Sequence, residues 1–388
     1  MFIRSDNLKR LMFIFLLLLL FPLGVFAEED IIPNASSGIL MEVSSGKILF
    51  EKEKDMEVSI ASMTKMVAQI LILEAIEDGK IKWNDVVTVS KNASDMGGSQ
   101  IYLEEGEKIT VEDLMKGISV ASGNDATVAM AEYLSGSEEK FVKKMNDKVK
   151  ELGLKHTHFS NSTGLDEKDH YSSSYDMAVI ARELVLNHPD ILRFSSIYED
   201  YLREDTDRKF WLVNTNKLIR QYDGVDGLKT GHTDAAGYCL AATAKRNDVR
   251  LIAIVLGEKE SKVRNAETTS LLDYGFNNVK VKVLKKKGEV IDKVLLSKAN
   301  SKEINAILED NLIVVEDIEE NNKSYSYDVK MNDISLPIKK GSVIGKINVK
   351  SKGKVISTGK LVASKNVESL KFFDLYFKNL IYMFSGSF

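Results

Sequence analysis

The sequence predicts an α+β fold over residues 28–276, a small all-β domain over 277–365 and an amphipathic helix over 366–388. Three observations predict it. Strand-like runs stand at both ends of the first segment with helical periods between them, so the first strands pair with the last and a helical group is inserted. Near residue 277 the text turns to short alternating runs, such as Val279-Lys280-Val281-Lys282-Val283, punctuated by glycines. Past Val367, Phe373, Phe377, Leu380 and Phe384 recur at helical spacing, with Lys371, Asp374 and Lys378 on the other side.

In chain order, Arg4, Lys9 and Arg10 precede an apolar run over 11–23 and small residues at Val25-Phe26-Ala27. This pattern predicts a signal peptide, residues 1–27, cut after Ala27. The run is short for a bilayer-spanning helix. Runs over 39–43 and 47–52 flank Ser44-Ser45-Gly46 and predict a hairpin. Residues 63–76 are apolar nearly all round and stop at Gly79, which predicts a buried helix. Thr110 is placed to N-cap the next helix, with Asp113 where a capping box has Glu. Helices follow over 126–134 and 138–152, the second ending at Gly153, and strands over 238–244 and 249–256. The tail is too polar on one face to span a bilayer and suited to lie in its surface.

Composition excludes several function classes. Apolar residues make up 44% and charged residues 28%, a globular balance, and 388 residues favour two or more domains. A net charge of −4 gives no basic face for nucleic acid. The single cysteine, Cys239, excludes an internal disulfide and sits in strand-like apolar text, as a buried core residue does. Five histidines stand without metal-ligand spacing, so no metal site is expected.

Three short words carry the chemistry: Ser62-Met63-Thr64-Lys65, Ser122-Gly123-Asn124 and Lys229-Thr230-Gly231. The first two patterns are weak alone; Ser-x-x-Lys recurs at Ser44/Lys47 and Ser-x-Asn at Ser90/Asn92. Context strengthens them. Ser62 opens a buried helix, where free backbone N–H groups and the helix dipole favour an oxyanion, and Lys65 falls on the same face one turn on. No Gly-x-Ser-x-Gly and no motif-borne histidine supplies another base. Lys65 can act as base if burial or a second cation, Lys229, lowers its pKa. Ser122 can relay a proton and Asn124 can bond a peptide amide, although Asn124 or Asp125 would equally cap the following helix. Lys229 and Thr230 offer a cation and a hydroxyl to a carboxylate, and Gly231 allows a substrate backbone close.

Ser-x-x-Lys, Ser-Asp-Asn and Lys-Thr-Gly are the signature of class A β-lactamases and penicillin-binding proteins, and the three words here resemble it with Ser-Gly-Asn in place of Ser-Asp-Asn. The chain resembles the serine-type D-alanyl-D-alanine carboxypeptidases, the low-molecular-mass penicillin-binding proteins, whose middle word is Ser-Gly-Asn. Further matching stretches are Asn161-Ser162-Thr163-Gly164-Leu165-Asp166 and Gly227-Leu228-Lys229-Thr230-Gly231-His232-Thr233. The resemblance covers signal peptide, catalytic domain, β domain and tail.

The resemblance implies a β-lactamase-like fold, an antiparallel sheet flanked by helices. It implies release of the terminal D-alanine of peptidoglycan pentapeptide stems through an acyl-enzyme on Ser62. Lys65 is then the base, Ser122, linked to Lys65, the relay, and Asn124, Lys229, Thr230, Gly231 and His232 bind substrate. The backbone N–H groups of Ser62 and His232 hold the oxyanion. β-Lactam antibiotics acylate the same serine, no metal or organic cofactor takes part, and the tail rests on the outer face of the cytoplasmic membrane. The rival readings are a DD-endopeptidase, a β-lactamase and a non-catalytic cell-wall-binding protein.

Overall fold

The computed structural model describes residues 30–317 and 324–370. The signal peptide and residues 371–388 of the tail lie outside the described residues. Five strands form the main sheet: β1 (Ser37–Glu42), β2 (Ile48–Lys52), β3 (Val225–Thr233), β4 (Gly237–Arg246) and β5 (Val249–Glu258). Their order is β2-β1-β5-β4-β3 and every pairing is antiparallel. The first strands thus close onto the last, as the positions of the apolar runs predict. All six residues of β1 are buried because both its edges are paired and both faces of the sheet are covered.

The inserted helices are α1 (Lys65–Glu77), α2 (Val111–Val120), α3 (Asn124–Ser135), α4 (Glu138–Glu151) and α5 (Ser174–Asn187), with α6 (Ser261–Asn278) following the sheet. Helices α1 to α5 build one core with the sheet face that carries Met41, Ile252 and Ile254. Leu271 and Leu272 of α6 pack on the other face against Leu240 and Leu251. Helix α1 lies inside the larger core, which explains its nearly uniform apolar text, and Gly79 follows it at φ +70. The Thr110 hydroxyl accepts from Asp113 N at 3.1 Å, as an N-cap does, and donates to the Asp113 carboxylate at 2.8 Å, so Asp113 stands at the capping-box position but bonds the hydroxyl and not the backbone N–H that a capping-box Glu takes.

Two local expectations change. Residues Ala61–Thr64 form a 3₁₀ turn and α1 begins only at Lys65. Gly123 is the N-cap of α3, and neither Asn124 nor Asp125 caps it, since both side chains have partners elsewhere. Lys229-Thr230-Gly231 lies within β3, on the edge of the sheet, ahead of the strand that starts at Gly237.

The second unit is built from strands alone among the described residues: β6 (Val279–Lys285), β7 (Val290–Leu295), β8 (Glu303–Leu308), β9 (Leu312–Asp317), β10 (Ser326–Met331), β11 (Val343–Ser351) and β12 (Lys354–Ala363). Helix α6 runs to Asn278, two residues past the expected boundary. Residues 366–370 are extended, not helical: Val367 bridges Ile338, Ser369 bridges Ala299, and Val367 is fully buried in the β core. A β-branched side chain fits that pleated interior better than the start of a surface helix.

Candidate active site

Ser62 is half-buried in the 3₁₀ turn, behind Ala61 at φ +47, and the turn keeps Lys65 on its side. Lys65 is fully buried. Its Nζ lies 2.8 Å from Ser62 Oγ, 2.6 Å from Asn124 Oδ1 and 2.7 Å from the Thr163 carbonyl. Amide and carbonyl oxygens only accept, so they take two N–H bonds of the amine. The third direction faces a hydroxyl, which can donate to a neutral amine's lone pair. Burial, then the charge of Lys229, hold the Lys65 pKa well below its ordinary value of 10.5, against the opposing pull of Asp125.

Ser122 follows α2 in the left-handed region at φ +62, strained for a non-glycine residue. Gly123 N returns to Gly117 O at 3.1 Å and fixes the bend. On β3, Lys229 Nζ donates to Ser122 Oγ at 2.8 Å and to Thr230 O at 3.0 Å. Burial, reinforced by the Arg264 guanidinium, brings the Lys229 pKa down to about 7. The Thr230 hydroxyl donates to Thr215 Oγ1 at 2.7 Å. All three words therefore meet at one place.

The loop at 161–166 supplies parts to which the sequence assigned no role. Asn161 Oδ1 accepts from Thr163 N and Gly164 N at 3.1 and 2.7 Å and so aims the Thr163 carbonyl at Lys65. Gly164 has φ +86, and a Cβ there would lie 1.9 Å from Ala61 O. His170 Nδ1 accepts from Ser160 N at 3.1 Å, which leaves Nε2–H facing Thr64 Oγ1 at 2.8 Å; that hydroxyl donates to Ala61 O at 2.9 Å. Burial lowers the His170 pKa to about 4, so the ring is neutral and the nucleophile turn is held by uncharged bonds. Asp166 Oδ1 accepts from Ser59 and Thr233 hydroxyls at 3.0 and 2.8 Å, joining the flanks of the first and third words. The only sequence signal for Asn161, Thr163, Gly164 and Asp166 was the family match at 161–166, and His170 had none.

A family model described as D-alanyl-D-alanine carboxypeptidase matches residues 25–260, and one described as penicillin-binding protein 5, C-terminal domain, matches 280–369. The chain belongs to the D-alanyl-D-alanine carboxypeptidase family. It is 46% identical to D-alanyl-D-alanine carboxypeptidase DacF of Bacillus subtilis over 364 residues, 92% of this chain and 93% of that protein. It is 34% identical to DacC of Escherichia coli over 92% and 91%. Its fold matches penicillin binding protein 5 of Haemophilus influenzae with a TM-score of 0.65 at 31% identity, covering 87% of this chain and 98% of the other. It also matches penicillin-binding protein D2 of Listeria monocytogenes in its ampicillin-bound form, at TM-score 0.57 and 31% identity, over 63% and 97%.

Three contacts in this carboxypeptidase-family member differ from expectation. Ser122 bonds Lys229, not Lys65, because the bonds of Lys65 go to Ser62, Asn124 and Thr163. Asn124 is 3% exposed and has both amide ends engaged, Oδ1 by Lys65 and Nδ2 by Gly97 O at 2.7 Å. The absent Cβ of Gly231 makes room for the protein's own chain: it would lie 2.5 Å from Ile60 O and 3.2 Å from Ala61 Cβ. The His232 ring is exposed and rests on Tyr238, centroids 4.0 Å apart, so it points away from Lys229 and Gly231, which are buried. Cys239 is buried and its thiol pKa is raised to about 11 by burial, as befits a core residue. Among the described residues no cluster of metal-ligating side chains occurs.

Proposed function

We propose that this family member is a serine-type enzyme that removes the terminal D-alanine of peptidoglycan pentapeptide stems, with Ser62 as nucleophile. One observation carries the proposal: a buried amine whose two other contacts are pure acceptors stands 2.8 Å from Ser62 Oγ. Lys65 takes the Ser62 proton as Oγ attacks the carbonyl between the two D-alanines. Backbone N–H groups of Ser62 and His232 receive the oxyanion. Ser122 donates its hydroxyl proton to the departing amine and is refilled by the Lys229 ammonium it already bonds. Lys229 and Thr230 attract the terminal carboxylate, and Gly231 keeps β3 against the nucleophile turn. Asn124 acts by fixing Lys65 Nζ. Water then cleaves the acyl-enzyme, giving its proton through Ser122 to the neutral Lys229 amine while the released Ser62 oxygen takes back the proton held by Lys65, so both lysines return to their starting states.

Penicillins present an amide and a carboxylate in the same arrangement and should acylate Ser62. Family members act on the cell wall, outside the cytoplasm. The proposal adds that residues 1–27 direct export, that 28–278 form the catalytic domain and 279–370 a β domain, and that the aromatic tail seats the enzyme on the membrane's outer face.

The test combines a labelled penicillin with a diacyl-D-Ala-D-Ala peptide. The expected result is one slowly hydrolysed adduct on Ser62 and D-alanine release, both lost in Ser62→Ala. An adduct on another residue, or rapid penicilloate turnover without D-alanine release, overturns the proposal.

A further inference from the structure

Residues Glu199–Leu202 and Phe210–Val213 form a two-stranded hairpin apart from the main sheet. Its inner face buries Leu202 and Leu212 in the large core, which fixes the register. The outer face carries the cross-strand pair Tyr201–Trp211, 40% and 55% exposed. Of the two tryptophans in the chain, Trp83 packs against the core and Trp211 faces solvent. Lys209 Nζ sits 3.9 Å from the centre of the Tyr201 ring, and an ion pair of Glu199 with Arg220 borders the same strands.

The hairpin is rigidly mounted. At its tip, Arg203 donates to Glu107 at 2.6 Å and to the Ile101 carbonyl at 3.0 Å, with little exposure on either side of the ion pair. At its base, Asn214 Nδ2 donates to the Ser195 and Ile197 carbonyls, and Thr215 touches Thr230 of the candidate active site. Trp211 is four residues from Thr215, at most about 14 Å of extended chain.

We propose that Tyr201 and Trp211 form a shelf on which a polysaccharide strand stacks. The proposal rests on the function given above. There the scissile bond follows the fourth residue of a stem whose other end is fixed to a sugar, again at most about 14 Å away. The sugar and the two outward aromatic rings thus each lie within about four extended residues of the site, a reach that lets one meet the other. A pyranose has an apolar C–H face that lies on an aromatic ring and a rim of hydroxyls that charged neighbours can bond. Lys209, Glu199 and Arg220 supply such neighbours; Lys and Glu are depleted in the cores of protein–protein interfaces. Tyr and Trp also lose little rotamer freedom when they bind.

The test uses the full chain and two probes, peptide-free glycan strands and a pentapeptide offered either free or on such strands. Wild-type protein is expected to retain peptide-free strands, Trp211→Ala to weaken retention about fivefold, and Trp211→Phe to keep most of it. On strand-borne pentapeptide Trp211→Ala should raise KM about fivefold, and on the free peptide it should change nothing. Strands not retained by wild type, retention unchanged in Trp211→Ala, or equal losses on both substrates overturn the shelf. So does a dimer in sedimentation that Trp211→Ala dissociates, since the face would then bind its own copy. If wild type releases D-alanine from neither substrate, the catalytic proposal falls, while strand retention still decides the shelf.

Discussion

Burial gives Lys229 a proton that leaves at about pH 7, so its state changes where enzymes work. Below that pH the ammonium attracts a carboxylate and refills Ser122; above it both functions fade. The free-enzyme parameter kcat/KM should therefore fall above about pH 7, and in kcat the fall should shift upward because a bound carboxylate stabilises the ammonium. Lys229→Arg keeps the charge and gives up the transferable proton: the alkaline limb should vanish and kcat drop about 100-fold. A pH–rate profile of both proteins checks this. His170 acts on stability instead. Its pKa is 6.5 unfolded and about 4 folded, so between those values the unfolded chain binds more protons. Stability is full above 6.5 and declines as pH falls toward 4, by roughly 3 kcal/mol. Urea melts across that window should show the slope, and His170→Gln should flatten it. Lys65 was legible in the sequence because a serine without any other base needs one nearby. His170 was not, since a lone histidine beside a tyrosine carries no motif.

At the scale of elements, what the sequence made legible followed burial. The apolar text of α1 and of strands β4 and β5 gave their existence and pairing, because both sheet faces are covered. The 3₁₀ turn at Ser62 was not legible. It is imposed by backbone contacts from elsewhere in the chain, with β3 at Gly231 and the loop at Gly164 pressing on Ile60 and Ala61. Gly231→Ala puts a Cβ 2.5 Å from Ile60 O, and Gly164→Ala adds a left-handed φ to a worse overlap. Each should destabilise by about 2–4 kcal/mol and slow acylation at least about tenfold, because the turn that carries Ser62 must move. Gly79→Ala is the control: it shares a positive φ, but nothing lies within 4 Å of its Cβ. It should cost about 1 kcal/mol and leave the acylation rate alone. Urea midpoints with penicillin acylation rates separate the two behaviours. Acylation in Gly231→Ala at the wild-type rate would sever the link between strand approach and nucleophile placement.

Over the whole molecule, the change of character near residue 277 was legible because an all-β unit alternates with period two while the first unit does not. Where the β unit ends was not. The aromatic stripe invites a helix from 366, but Val367 completes the β core and Leu370 N bonds Lys298 O at 2.8 Å. The two units meet where Val279 and Val281 of β6 pack on the core beneath α6, and where Asn311 bonds Asp248 at 3.1 Å and Lys360 reaches the Leu186 carbonyl at 3.3 Å. Such a junction couples position more than folding, so the β unit can hold the site off a surface without entering its chemistry. Two truncations follow from this. A chain ended at Leu370 keeps Val367 in place; it should melt like the full chain and release D-alanine from a soluble peptide at the full rate, yet cease to sediment with anionic vesicles. A chain ended at Ser364 also loses the Val367–Ile338 bridge and a fully buried side chain, so its β unit should be destabilised by about 1–3 kcal/mol. Vesicle sedimentation of the Leu370 chain equal to that of the full chain would place the membrane contact elsewhere. Loss of D-alanine release in that same chain would show that the tail reaches the site itself.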